Sequence, residues 1–163
     1  MSLFSDLRDR KWPDWTASVF VLIGFLVYIA QSFLFAHTTV SSLDEGGYLY
    51  KGLLYAEGVY RPFQPYGFWT NKAPLAFLIP GYVQWIFGAG LRVGRYLAVL
   101  EGVLALLGMW ITARRMGGKY LAAIAVWVLA LSPAVIKVYS VGASQSLIAS
   151  FVAWTFVLSL GEK

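Results

Sequence analysis

The segment WTASVFVLIGFLVYIAQSFLFA, Trp15–Ala36, decides the fold class, because no charged side chain interrupts it. A helix rises about 1.5 Å per residue, so about 20 apolar residues cross the hydrocarbon core of a bilayer, which is about 30 Å thick. A cleavable secretory signal has a shorter apolar region of about 7–15 residues. We therefore predict an uncleaved first membrane span over 15–36, with Trp15 at the level of the headgroups.

The composition of the whole chain also indicates a membrane protein. Of its 163 residues, 59% are hydrophobic and 13% are charged, whereas soluble domains carry about 25% charged residues. A water-soluble domain of this length could not bury so much apolar surface. The net charge of +5 comes from basic residues that flank apolar segments. The basic residues do not form the continuous stripe that is typical of nucleic-acid-binding proteins. We therefore predict that the apolar surface of the protein contacts the lipid bilayer.

Further apolar segments follow along the chain. Three of them are long enough to span a bilayer, over about 96–113, 120–138 and 144–160. The segment Pro74–Gly88 is shorter and contains Pro80-Gly81. Its length favours a helix that lies along the membrane surface, and a crossing of the bilayer by this segment is the alternative.

The basic residues favour a surface position for Pro74–Gly88. The cluster Arg114, Arg115 and Lys119 then lies in the shortest loop on the cytoplasmic side, where the positive-inside rule has most weight. We therefore predict an all-α integral membrane protein with four transmembrane helices, in which residues 1–163 form a single membrane unit. Both termini are inside, in the cytoplasmic membrane of a bacterium or an archaeon. One long outer loop, 37–95, carries juxtamembrane helices over about 42–57 and 73–88.

The outer loop holds an acidic pair close to the membrane. Asp44 and Glu45 follow the outer end of the first span, and ionised carboxylates at a membrane are often functional. One carboxylate could act as a general base or bind a metal, while the other positions it. For Glu45 a structural role is the alternative, because Ser42-Leu43-Asp44-Glu45 fits a capping box, in which Glu45 accepts a hydrogen bond from the Ser42 amide.

Other polar residues each allow two interpretations. Lys72 and Arg61 either bind the phosphate of an anionic lipid or simply extend to the interface. His37 is a proton carrier or a ligand to a metal or pigment, or else polar surface. Glu101 lies within a span and is a functional candidate for that reason; the alternatives are that it pairs with a nearby cation or lies close to the outer interface. Gln145 belongs to a polar segment that either lines a cavity entrance or begins a helix.

The order of several motifs resembles the beginning of GT-C membrane glycosyltransferases. After a first span come Leu43-Asp44-Glu45-Gly46-Gly47-Tyr48 and Asn71-Lys72-Ala73-Pro74-Leu75, and then Arg95-Tyr96-Leu97, Arg114-Arg115-Met116-Gly117-Gly118 and Leu131-Ser132-Pro133. The most similar branch is the family 39-like one, with the protein O-mannosyltransferases and the lipid A aminoarabinose transferases. The resemblance covers nearly the whole chain.

The resemblance implies that a sugar is transferred from a polyprenyl-phosphate carrier to an acceptor on the outer face of the membrane. It implies Asp44 as the catalytic base or acceptor-positioning acid, with Glu45 beside it. Lys72 and Arg61 would neutralise the phosphate of the donor as the glycosidic bond breaks. Tyr48 and Gln145 become candidates for contacts with the substrate or the cavity.

The chain also departs from this family. Gln145 and Ser146 stand where relatives carry an acid in the second outer loop, and Asn71 stands where some relatives have an acid that binds a divalent metal. We therefore predict no cofactor and no metal site, and the absence of cysteine excludes thiolate ligands. Family members are several hundred residues long. Hence we expect either the N-terminal membrane segment of such an enzyme, or a truncated, non-catalytic relative that serves as a transmembrane subunit of a larger complex. In both cases we expect the 163-residue chain alone to be inactive.

Overall fold

The computed structural model describes residues 14–61 and 74–161, and within these ranges the chain forms helices and no β-strand. The helices are α1 (Asp14–Thr38), α2 (Leu43–Ala56), α3 (Pro74–Phe87), α4 (Leu91–Ala130), α5 (Pro133–Val138) and α6 (Ser144–Ser159). The all-helical architecture predicted from the sequence is therefore confirmed for the described residues.

Two of these helices are long and apolar enough to cross a membrane. They are Trp15–Thr38 within α1, which contains an 18-residue window with a mean hydropathy of 2.3, and α4, which contains such a window with a mean hydropathy of 1.8. Helices α3 and α6 are apolar but shorter, with 14 and 16 residues. This finding agrees with a membrane environment, and by length and composition it identifies two candidate spans and not four.

Helix α4 changes direction at a pair of glycines. Gly117 and Gly118 have non-helical backbone angles, and Gly118 has a φ of 77°, in the region that only glycine adopts at little cost. The kink divides α4 into a first limb, 91–116, and a second limb, 119–130.

The contacts of α4 with α1 show that the second limb runs back beside the first. Tyr96 contacts His37, and Trp127 contacts Phe20. In a straight helix residues 96 and 127 would be about 46 Å apart, whereas residues 37 and 20 are only about 25 Å apart along α1. The first limb is therefore antiparallel to α1, and the second limb turns back along it.

The predicted span over about 120–138 is divided in the structure. The second limb of α4 ends at Ala130 and α5 begins at Pro133. The Ser132 hydroxyl accepts a hydrogen bond from the Val135 amide at 3.5 Å, and a proline is tolerated in the first turn because the amides there have no intrahelical acceptor. The other three predicted spans lie on α1, on the first limb of α4 and on α6.

The core between α1, α4 and α5 depends on small residues. Tyr28 of α1 has no exposed surface and packs against Leu106, Val126 and Ala130. A Cβ added at Gly102 would overlap the Tyr28 hydroxyl. Close packing at small residues is the usual way in which helices associate in a membrane.

Helices α2 and α3, which lie between the two candidate spans, cross at glycines. A Cβ added at Gly81 would overlap the Gly52 carbonyl oxygen, so the two backbones are in contact there. Pro80 lies inside α3 without ending it. The Pro80-Gly81 dipeptide thus marks the point where α3 rests on α2, because only a residue without a side chain fits at this crossing.

Candidate functional site

A buried ion pair joins the first turn of α2 to the beginning of α4. Arg95 Nε donates to Glu45 Oε1 at 2.8 Å, and Arg95 Nη2 donates to Glu45 Oε2 at 2.9 Å. The exposed fraction is 3% for Arg95 and 0% for Glu45. Each nitrogen faces its own carboxylate oxygen, which is the bidentate geometry that makes such pairs strong and specific.

Both members of the Glu45–Arg95 pair bind further parts of the chain. Arg95 Nη1 donates to the carbonyl oxygens of Ala36, at 2.7 Å, and Thr39, at 3.0 Å. These carbonyls lie at the end of α1, where no intrahelical donor remains. Glu45 Oε1 also accepts a hydrogen bond from the Gly142 amide at 2.8 Å. The pair therefore holds together α1, α2, α4 and the segment that precedes α6.

The carboxyl group of Glu45 is ionised in this environment. Burial alone would raise its pKa, but hydrogen bonds from Arg95 and from the amides of Gly142 and Ser42, together with the charge of Arg95, hold the pKa below its ordinary value. The Ser42 hydroxyl in turn accepts a hydrogen bond from the Glu45 amide at 3.2 Å, as in the predicted capping box. Since Glu45 has no exposed surface, its geometry fits the positioning role considered for one of the two acids.

Asp44 has a different environment, although it is the next residue in the chain. It is exposed on the first turn of α2, and Tyr48 lies one turn further on the same face. The Tyr48 hydroxyl accepts a hydrogen bond from Ser144 Oγ at 3.1 Å, and its ring stacks on Phe77 with the centroids 5.0 Å apart. The structure thus connects this face of α2 with the beginning of α6, where Gln145 is exposed.

The predicted phosphate-binding cations are described only in part. Arg61 follows α2 and is exposed. Lys72 lies outside the described residues, as does Asn71. Lys51, which was not among the residues predicted from the sequence, lies on the same face of α2 as Asp44 and Tyr48. Lys51 is three residues from Tyr48 and seven from Asp44. This helical spacing could have identified Lys51 as a residue on their face of α2.

Glu101 is a second buried carboxylate, in the first limb of α4. The Ser146 hydroxyl donates to Glu101 Oε2, and Ser150 Oγ donates to the Glu101 carbonyl oxygen at 3.0 Å. Within the described ranges the ion pair of this region is Glu45–Arg95, and no cation pairs with Glu101. The contacts of Glu101 therefore connect α4 with α6 through hydroxyl groups.

His37 makes protein contacts through both ring nitrogens. Nδ1 lies 2.8 Å from the Phe33 carbonyl oxygen, which can only accept, so Nδ1 carries the hydrogen. Nε2 lies 3.0 Å from the Tyr96 hydroxyl. Neither nitrogen is left for a metal or a pigment, and the geometry fits a polar contact at the end of α1. Among the residues that the structure describes, no group of three or more acids and histidines could hold a metal ion.

Comparisons of the chain with protein-family models, with curated proteins and with solved structures find no match.

Proposed function

We propose that residues 1–163 are the N-terminal membrane segment of a glycosyltransferase that uses a sugar linked to polyprenyl phosphate and acts on the outer face of the membrane. The observation that carries this proposal is the unequal placement of Asp44 and Glu45. Glu45 is buried and paired with Arg95, whereas Asp44 is exposed beside it. A general base must come within hydrogen-bond distance of the proton that it accepts, and Asp44 has the surface to do so.

In the proposed reaction Asp44 accepts a proton from the acceptor group as that group bonds to the anomeric carbon of the sugar. The bond between this carbon and the phosphate oxygen of the carrier breaks, and its electron pair leaves with the phosphate. Cations next to the leaving phosphate stabilise the negative charge that develops there. Arg61 and Lys72 have this proposed role, and Lys51 is placed on the face of α2 that carries Asp44.

The contacts of Glu45 and Tyr48 support a fixed position for the turn of α2 that carries Asp44. The Glu45–Arg95 pair connects the first turn of α2 with α1, α4 and the segment before α6. The Tyr48–Ser144 hydrogen bond adds a second connection one turn away. A catalytic group that is held in place lowers the entropic part of the activation barrier.

The proposed membrane arrangement has four spans: α1, the first limb of α4, the second limb with α5, and α6. In this arrangement both termini are cytoplasmic, and α2 and α3 lie at the outer surface within the loop 37–95. Helix α6 has 16 residues, which corresponds to about 24 Å, so the bilayer would thin slightly around it. Asp44 then lies at the outer surface, where the donor and the acceptor would meet.

A second candidate function is that of a non-catalytic transmembrane subunit. Helix α6 exposes large apolar side chains, among them Phe151, Phe156 and Leu158. Such a surface contacts either lipid or the helices of partner subunits. In this case the Glu45–Arg95 pair stabilises the fold, and Asp44 has no catalytic role.

The test of the catalytic role is the substitution Asp44→Asn in a complete enzyme that contains this segment. General-base catalysis contributes a factor of about 10²–10⁴, so sugar transfer from a polyprenyl-phosphate donor should fall by that factor. Glu57→Gln, which removes an exposed carboxylate at the other end of α2, should leave the rate unchanged. Transfer by Asp44→Asn at the normal rate would exclude Asp44 as the base.

The two candidate functions are separated by the intact mass and the assembly of the natural protein, extracted gently from its own membrane. A polypeptide several times heavier than 18.1 kDa supports the proposal that these residues belong to a glycosyltransferase. An 18.1 kDa chain in stoichiometric amount within a larger complex supports the subunit. The isolated chain is expected to show no transfer in either case, and turnover by that chain alone would contradict this expectation.

A further inference from the structure

A cavity with two arginines lies at the end of the first limb of α4 that is remote from Asp44. Its volume is about 460 Å³, and its lining residues are Trp110, Ile111, Arg114 and Arg115. Arg95 and Arg114 are about 28 Å apart along the helix. This cavity is thus separate from the site around Asp44, and a ligand bound in it would not depend on the proposed glycosyltransferase function.

Protein contacts fix both guanidinium groups without neutralising them. Arg115 Nη1 donates to the Val157 carbonyl oxygen near the end of α6. The guanidinium carbon of Arg114 lies 5.4 Å from the centroid of the Trp110 ring, within the range of a cation–π contact. In the part of the chain that the structure describes, neither arginine has an acidic partner within ion-pair distance. A guanidinium group has five N–H donors, so both side chains keep donors for an anion.

The composition of this cavity matches the two parts of a phospholipid. Arginine binds the oxygens of a phosphate group in a bidentate manner and with little loss of side-chain entropy. Trp110 and Ile111 offer apolar surface directly beside the cations, and tryptophan favours the level of the headgroups. A free phosphate ion would contact only the arginines and would make no use of this apolar surface.

We propose that this cavity binds the phosphate headgroup of an anionic membrane phospholipid, with the first part of an acyl chain against Trp110 and Ile111. Basic residues next to the end of a transmembrane helix attract anionic headgroups. The anchoring of Arg115 at α6 and of Arg114 on Trp110 distinguishes this site from arginines that merely extend to the interface. If these arginines only extended to the interface, the protein would have no single site that prefers one lipid headgroup over another.

The experiment is a lipid titration of the purified full chain in detergent, followed by native mass spectrometry. Phosphatidylglycerol and phosphatidylcholine with the same acyl chains are compared, and one phosphatidylglycerol should bind at a much lower concentration than phosphatidylcholine. Arg114→Gln should weaken the binding of phosphatidylglycerol about fivefold, and the double variant Arg114→Gln/Arg115→Gln about 25-fold, from the usual contribution of one cation at a lipid surface. The matched control is Arg92→Gln, an exposed arginine at the other end of the same limb, which should leave binding unchanged.

Three outcomes would overturn the proposal. The first is equal binding of the two lipids, which would indicate hydrophobic adsorption. The second is an equal loss in Arg92→Gln and Arg114→Gln, which would indicate a general effect of net charge. The third is displacement of phosphatidylglycerol by millimolar inorganic phosphate, which would indicate a simple anion site. Because Arg115→Gln also removes the contact with Val157, Arg114→Gln alone, with an unchanged circular dichroism spectrum, is the deciding variant.

Discussion

The two ends of the first limb of α4 use arginine in opposite ways. At one end Arg95 is buried, and its donors are taken by Glu45, Ala36 and Thr39. At the other end Arg114 and Arg115 line an open cavity and have no acidic partner within the described chain. A buried cation that donates four hydrogen bonds to protein acceptors holds the fold together, whereas an exposed cation with most of its donors free is available to a ligand.

The same contrast separates the two neighbouring acids. Glu45 makes its hydrogen bonds to the protein and has no exposed surface, whereas Asp44 is exposed. Adjacent residues on a helix point about 100° apart, so one turn can present one carboxylate to the core and the other to the surface. If the contrast is correct, substitutions in the Glu45–Arg95 pair should affect stability first, and substitutions at the exposed residues should affect binding or transfer first.

The largest effect is expected for Arg95→Gln. Removing one member of a buried ion pair leaves the other charge unpaired, which typically costs about 3–5 kcal/mol of unfolding free energy. The effect can be measured by chemical unfolding in mixed micelles. Arg92→Gln, one turn earlier and exposed, is the control and should change the unfolding free energy by no more than about 0.5 kcal/mol.

A double-mutant cycle sharpens this result. Glu45→Gln/Arg95→Gln should be clearly more stable than the sum of the two single effects predicts, because neither side chain is then left as an unpaired charge. Additive effects would mean that the two residues do not act as a pair, and the contrast between the two ends of the limb would fail.

A smaller but still large loss is expected for Gly81→Ala. The new Cβ would overlap the Gly52 carbonyl oxygen at the crossing of α2 and α3, and an overpacked contact costs about 1–3 kcal/mol. The control is Gly47→Ala in α2, where an added Cβ meets nothing within 4 Å. It should stabilise the helix by up to about 1 kcal/mol, because alanine is the better helix former.

Gly81→Ala also tests whether the two ends of the limb are independent. The crossing of α2 and α3 is remote from Arg114, and distant sites are usually additive. The affinity for phosphatidylglycerol should therefore stay unchanged in this variant. A parallel loss of lipid binding would show that the arginine cavity depends on the packing of α2 and α3.

The contribution of the Glu45–Arg95 pair should depend on pH in one direction. The pKa of Glu45 is lower in the folded protein than its ordinary value of 4.5, so folding favours the ionised form. The stabilisation is fully present above that ordinary value and is lost as the pH falls through the pKa of the folded state. The difference in unfolding free energy between the natural chain and Glu45→Gln/Arg95→Gln should thus shift in favour of the double variant as the pH is lowered from about 7 to about 3. A difference that is constant over this range would exclude ionised Glu45 as the cause.

Local features of the fold could be predicted from the sequence, and their tertiary partners could not. The helix expected over about 42–57 corresponds to Leu43–Ala56, because Ser42 caps it and its apolar residues recur at helical spacing. The partner of Glu45 is 50 residues away in the sequence, and no local pattern connects the two. The capping box accounts for Glu45 by local contacts alone, so the residues around Glu45 do not indicate Arg95 as a second partner.

The division of the predicted third span was also missed, because hydropathy does not show where one helix ends and the next begins. Its apolar composition continues through Leu131, but Ser132 and Pro133 begin a new helix there. A serine followed by proline is a helix-start signal, and the hydropathy of the segment masked it. For the candidate site, the sequence indicated the residue types, whereas which of the two acids is buried depends on how α2 rests on α4.

The smallest effect is expected for Arg114→Gln on stability, measured in the absence of added lipid. Its guanidinium group has no acidic partner within the described chain, and its contact with Trp110 is exposed, where cation–π contacts contribute about 0.5–1 kcal/mol. The loss of unfolding free energy should therefore stay within about 1 kcal/mol, well below that of Arg95→Gln. Adding phosphatidylglycerol should stabilise the natural chain more than this variant, because a ligand stabilises the state that binds it. A lipid-free loss as large as that of Arg95→Gln would mean that Arg114 also holds the fold together, and free donors would then no longer distinguish a ligand site from a structural one.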